Sequence, residues 1–146
     1  MTDDTSSESH FAQLGGEPVV RSLVELFYDA MDDHEPVLAA LHKLDANQKV
    51  SRESRDRFAL FLIGWLGGPQ TYMALHGHPR LRMRHAHVPV DRAMRDAWMR
   101  AMDLALAQTP MQEPLRVFLH TRFAEIADFL RNVREPEDHS PNDARS

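Results

Sequence analysis

Residues 76–87 read His76-Gly77-His78-Pro79-Arg80-Leu81-Arg82-Met83-Arg84-His85-Ala86-His87, and Trp98 stands thirteen positions after His85. Four histidines and three arginines fall within these twelve residues. Read residue by residue, the run admits three chemistries. It can be a solvated loop with no ligand. It can be a metal site, because neutral imidazole suits zinc, copper, nickel and iron, although no carboxylate or thiolate stands at a familiar ligand spacing. Or one imidazole ligates an iron while the arginines pair with carboxylates at the rim of a cofactor.

The flanking segments read as helices. His78-Pro79 opens a short segment to about His87, and Pro89 separates it from a helix over 91–108 with Asp91 as N-cap. Met94, Ala97, Trp98, Ala101, Leu104 and Ala105 form the apolar face of that helix. Thr109-Pro110 breaks the pattern. A last helix follows over 112–133, with Leu115, Phe118, Leu119, Arg122, Phe123, Ile126, Phe129 and Leu130 on its face. Towards the N-terminus, residues 69–76 form one or two turns. Ser51 caps a helix that runs to about Leu66 and stops at Gly67-Gly68-Pro69, where positive φ is tolerated and the ladder cannot continue. Glu17-Pro18 starts a helix over 17–32, in which Val20, Leu23, Val24, Phe27, Ala30 and Met31 recur at i, i+3, i+4, i+7. Pro36 opens a short helix from Val37 to His42. No period-two run rich in β-branched residues persists anywhere, so the class is all-α.

Composition narrows the functions. The chain has 146 residues and a formal charge of −5, which points to one domain and disfavours nucleic acid as a partner. Without cysteine there are no disulfides, zinc–thiolate sites, iron–sulfur clusters, cysteine nucleophile or thioether-attached haem. The start, MTDDTSSESH, lacks the basic-then-apolar order of a secretory signal, and no apolar stretch is long enough to span a bilayer. The expectation is a cytoplasmic protein with polar tails at 1–10 and 134–146 around a domain over 11–133. No phosphate-loop or nucleophile-elbow motif accompanies Gly67-Gly68. Asp32-Asp33 reads as a solvated helix end, and the eight methionines as core filler or surface.

Tyr28, His42 and Trp98 carry polar tips on or near apolar helix faces. Taken singly, each is a core aromatic reaching a backbone carbonyl. Sharing one pocket, the three are donors for an anionic or dipolar ligand.

Certain segments recur in a recognisable order: Leu14-Gly15-Gly16, Leu26-Phe27-Tyr28, the run Phe61 to Pro69, Gly77 to His85, and Arg95-Asp96-Ala97-Trp98-Met99. In these, over about residues 11–132, the chain resembles the group II truncated haemoglobins of bacteria. The G-H-P-x-L-R-x-R-H run with its following Trp98 carries most of the specificity. The resemblance implies a two-over-two helical sandwich around haem b. It implies His85 as the proximal iron ligand and Trp98 and Tyr28 as distal hydrogen-bond donors. Phe58 then lies over the haem, and Ser54 stands one turn earlier at the distal gate. Phe61 and Tyr72 help line the haem pocket, and Arg84 and Arg82 pair with propionates. His42 falls where relatives carry tyrosine, phenylalanine or histidine, as a distal donor or a sixth ligand. Ser54 is small, so the distal-histidine gate is absent at that position.

The function implied is binding of dioxygen, carbon monoxide, nitric oxide, cyanide or sulfide, for scavenging, sensing or redox detoxification, served by an unidentified reductase. A peroxidase-like or nitric-oxide-consuming enzyme with His42 as acid–base group is the second reading. A haem-free metal protein using His76, His78, His85 and His87 is the third. Monomer and homodimer are equally compatible.

Overall fold

The computed structural model describes residues 8–80 and 90–131. Among these residues the chain forms seven helices: α1 (His10–Leu14), α2 (Glu17–His34), α3 (Pro36–Ala39), α4 (Arg52–Trp65), α5 (Thr71–His76), α6 (Arg92–Gln108) and α7 (Glu113–Leu130). The described residues include no strand, only an isolated bridge between Leu44 and Val50.

Side-chain caps set three of the helix starts. Ser9 Oγ accepts from the Ala12 N–H at 3.1 Å, Ser51 Oγ from Ser54 at 3.2 Å, and Asp91 Oδ1 from Met94 at 2.8 Å. Each cap satisfies one N–H that the helix itself leaves open. α4 stops as its sequence implies. Gly67 takes φ +101° and donates to the Gly64 carbonyl at 3.1 Å, while Gly68 donates to Ile63 at 2.8 Å. This is the double bond pattern of a left-handed helix stop.

The structure moves several boundaries. The domain begins before residue 11: Ser9 caps α1, the Phe11 N–H donates to the Leu66 carbonyl at 2.9 Å, and the His10 ring stacks on Phe118 at 4.2 Å. A polar composition therefore does not mark 8–10 as tail, because docking onto the end of α4 orders them. The short helix expected to reach His42 ends at Ala39, and the helix expected over 17–32 runs on to His34. The segment expected between His78 and His87 is not helical through Arg80, and its remainder lies outside the described residues.

α2 packs against both α4 and α6, and α7 packs on α6, giving two pairs of helices laid across each other. Val20, Leu23, Val24, Phe27 and Met31 of α2 are fully buried, with Leu62 of α4, Met102 and Leu106 of α6, and Leu119 and Phe123 of α7. The apolar faces are narrower than expected. Leu104, Phe118 and Phe129 are exposed, whereas Met99, Met102 and Leu106 turn inward on α6. α7 meets its neighbours along the single stripe Leu115, Leu119, Phe123 and Ala127. No helix among the described residues is long and apolar enough to cross a membrane.

A Cβ at Gly67 would stand 2.9 Å from Ser9 Cβ, on a backbone that side chains rarely adopt. Gly67→Ala is expected to cost about 1–3 kcal/mol. Gly77→Ala, at φ +75° with nothing within 4 Å, should cost less. Urea unfolding of the two variants checks both the loss and the order.

Candidate functional site

Phe27 on the inner face of α2 meets Phe58 of α4 at 5.5 Å and Trp98 of α6 edge-on at 5.1 Å. Trp98 in turn lies 5.9 Å from Phe123 of α7. Aromatic rings from four helices thus meet where the two pairs cross, in tilted and edge-to-face geometries that suit their quadrupoles. Tyr28, next to Phe27, turns to the other side of this junction, 5.8 Å from Phe58. Phe61, one turn after Phe58, stacks beside it and meets the edge of Tyr72 from α5 at 5.8 Å.

Beside this frame lie two adjoining cavities, each about 410 Å³, that share His42, Ser54, Arg57, Trp98 and Leu130. One is completed by Tyr28, Phe58, Phe61, Tyr72 and Ile126. The other extends past Leu38, Leu41, Val90 and Met94. The structure therefore brings Tyr28, His42, Ser54, Phe58, Phe61, Tyr72 and Trp98 to one continuous space. His85, Arg84 and Arg82 lie outside the described residues.

The polar tips decide what this space can do. Among the described residues neither the Tyr28 hydroxyl nor the Trp98 indole N–H has a hydrogen-bond partner, and both side chains line the cavity. Among the described residues, satisfaction by a backbone carbonyl is found for His42 and not for Tyr28 or Trp98. Burial pushes the Tyr28 phenol well above its ordinary range, and the nearby Arg55 charge draws it back only in part. The phenol is a neutral donor throughout the ordinary pH range. His42 differs. Its Nδ1 lies 3.0 Å from the Leu38 carbonyl, and a carbonyl only accepts, so Nδ1 carries the proton. The ring faces Tyr28 edge-on at 5.6 Å.

The sequence reading missed the cluster behind Tyr28. Arg55, with its side chain 8% exposed, donates from Nε to the Val50 carbonyl at 2.9 Å. Its other nitrogens donate to Glu25 at 2.8 Å, Asp29 at 2.9 Å and Asp32 at 2.8 Å. Asp32 is no solvated helix end: its side chain is 4% exposed and accepts both Arg55 and the Val50 N–H. Asp33 beside it is exposed as expected. Burial raises the Glu25 carboxyl, but hydrogen bonds and charge from Arg52 and Arg55 outweigh it, so Glu25 is held below the usual carboxylate range. The signal available in sequence was phase. Arg55 falls in step with Ala59, Leu62 and Leu66 on the buried stripe of α4, where a charge needs partners.

No group of three or more His, Asp or Glu side chains among the described residues is placed to hold a metal ion. His76 and His78 are exposed, His76 lying 4.9 Å from the Tyr72 ring. His85 and His87 of that alternative fall outside the described residues.

Two crossed helix pairs around an aromatic cavity, with donor tips left for a ligand, define a globin-type binding protein. A family model described as bacterial-like globin matches residues 9–132, and the chain belongs to that family. It is 33% identical over 125 residues to the group 2 truncated hemoglobin YjbI of Bacillus subtilis (strain 168), covering 86% of this chain and 90% of the relative. The cold-adapted truncated hemoglobin of Pseudoalteromonas haloplanktis TAC125 superposes with a TM-score of 0.80 at 34% identity, covering 87% of this chain and all of that one. The group II truncated hemoglobin of Bacillus anthracis does so with a TM-score of 0.79 at 29% identity, covering 90% of this chain and 98% of that one. The chain is thus a truncated haemoglobin of the group II kind. Haem binding and binding of diatomic gases follow from the family. The site accords with this: aromatic side chains line the cavity, and the donors there that lack a partner among the described residues suit a polar ligand.

Asp32→Ala removes a buried carboxylate from Arg55 and the side-chain acceptor of the Val50 N–H. Breaking such a pair is expected to cost about 3–5 kcal/mol. The urea midpoint should fall with an unchanged slope, which distinguishes lost stability from a change in unfolded surface.

Proposed function

We propose that the chain binds haem b through His85 and holds a small polar ligand with Tyr28 and Trp98. The observation that carries this reading is the pair of donor tips that line one cavity without a partner among the described residues. When bound, haem held by a single imidazole supplies an iron with one open position for dioxygen, carbon monoxide, nitric oxide, cyanide or sulfide. The rest is done by side chains. Tyr28 and Trp98 donate to the partial negative charge of a bound dipolar ligand. Phe58 and Phe61 keep the surrounding wall apolar, which strengthens those bonds by excluding water. Arg84 and Arg82, beside His85, supply the charge for the propionates. Two donors slow release, so scavenging, sensing or redox detoxification suits the pocket better than delivery.

The absorption spectrum of haem-loaded protein, with dithionite and carbon monoxide, tests the reading directly. An intense Soret band that moves with carbon monoxide and is lost or weakened in His85→Ala supports it. No Soret band in either protein overturns it. Tyr28→Phe and Trp98→Phe should each speed dioxygen dissociation roughly two- to thirteen-fold, the equivalent of a hydrogen bond worth about 0.5–1.5 kcal/mol.

One observation favours a second activity, peroxide-dependent oxidation. His42 lines the cavity with its Nδ1 held on the Leu38 carbonyl, which sets an imidazole, a general acid–base group, where peroxide would bind. His42→Ala should then lower peroxide turnover far more than dioxygen affinity. Equal loss of both would assign His42 to ligand binding alone.

A further inference from the structure

Tyr28 lines the cavity, yet no hydrogen bond among the described residues fixes its hydroxyl. Its direction is set by what surrounds the ring. Phe27 stands at 4.8 Å, His42 at 5.6 Å, Phe58 at 5.8 Å, and the Arg55 guanidinium over the ring at 5.7 Å. Three of these neighbours are aromatic rings held by packing. Arg55 is bonded in place, and its carboxylate partners sit on Tyr28's own helix: Glu25 one turn before, Asp29 next to it and Asp32 one turn after. Its Nε also grips the Val50 carbonyl just ahead of α4. One cation thus ties the helix on both sides of Tyr28 to the segment that opens α4, and covers the ring while doing so. Arg55 lines neither cavity, and its nitrogens are taken up by Val50, Glu25, Asp29 and Asp32.

We propose that Arg55 is a positioning residue: it holds the Tyr28 ring against the cavity wall and thereby sets how firmly a polar ligand is retained. The inference rests on Tyr28 being a ligand donor. A guanidinium over an aromatic face is attracted to it and restricts its tilt. A fork with four acceptors has no rotamer freedom left, so the restriction is stiff. Without the cation the ring is confined by apolar contacts alone, and the hydroxyl samples directions in which it donates poorly.

The test is a double-mutant cycle on the haem-loaded full chain, with Arg55→Met and Tyr28→Phe, singly and together. Two quantities are read: the dioxygen dissociation rate and the C–O stretching frequency of the carbon monoxide complex, which reports hydrogen-bond donation at the ligand. Arg55→Met is expected to speed dissociation roughly two- to tenfold, within the loss of one hydrogen bond. It should also shift the C–O stretch in the same direction as Tyr28→Phe. In the Tyr28→Phe background it should change neither. Arg55→Lys, which keeps the charge but not the fork, should fall between wild type and Arg55→Met. A purely structural role predicts the same change in both backgrounds, and that result overturns the inference. So does a folded Arg55→Met with wild-type rate and stretch. Should Arg55→Met fail to fold, Asp29→Ala removes one exposed anchor and enters the same cycle. Wild-type rates and stretches in both Asp29→Ala and Arg55→Lys then overturn it. If Tyr28→Phe alone leaves the rate and the stretch unchanged, the donor reading of Tyr28 fails, and the role of Arg55 with it. If Tyr28→Phe changes them and the Arg55 variants do not, only the role of Arg55 fails.

Discussion

A guanidinium taken out of water must be given back most of what it loses, and in this fold Arg55 is given it by Val50, Glu25, Asp29 and Asp32. The acceptors come from α2 and from the residue pair just before α4, so satisfying the charge fixes how those two elements lie. An isolated buried charge would cost several kcal/mol, which makes any arrangement of α2 and α4 that separates these groups unfavourable. Asp32 adds a second constraint by accepting the Val50 N–H. The cluster does not supply most of the folding energy; the buried apolar residues of α2, α4, α6 and α7 do that. What it supplies is registration. Apolar stripes tolerate sliding and repacking, whereas a forked cation with named acceptors does not.

That registration reaches the cavity within a few ångströms. Phe58 and Ser54 stand three residues after and one before Arg55 on α4, and Tyr28 stands between its acidic partners on α2. The aromatic frame of Phe27, Phe58, Trp98 and Phe123 then closes the junction from the other side. Polar satisfaction behind the site and polar dissatisfaction within it belong together. The fold pairs Arg55 fully outside the cavity lining and, among the described residues, leaves Tyr28 and Trp98 without hydrogen-bond partners within it.

The local grammar of the chain was legible in the sequence. Ser51 and Asp91 cap the helices they were expected to cap, Gly67-Gly68 ends α4, and the stripe from Val20 to Met31 is the buried face of α2. The gathering of Tyr28, His42, Ser54, Phe58, Phe61, Tyr72 and Trp98 was legible only through the resemblance, because periodicity assigns a face and not a partner. Features that depend on distant pairing were not. Asp32 looks solvated in its own helix and is buried because Arg55 arrives from another. Leu104 and Phe129 fit an apolar arc but remain exposed outside the buried stripes of their helices. Ser9 and His10 look like tail until Leu66 offers a carbonyl and Phe118 a ring.

The three polar tips in the cavity are not equivalent, and the difference constrains what the pocket does. Tyr28 keeps its proton far beyond neutral pH, since burial disfavours the phenolate. Trp98 has no proton to lose in water. Both are donors at every ordinary pH, so their contribution to holding a ligand is constant across it. Two such bonds amount to about 1–3 kcal/mol, or roughly five- to 150-fold in retention. His42 is the exception: its Nδ1 proton is already given to the Leu38 carbonyl, so that donor is not left for a ligand. On the proposed reading, ligand retention belongs to Tyr28 and Trp98, and because neither changes its proton there, that retention does not vary with ordinary pH.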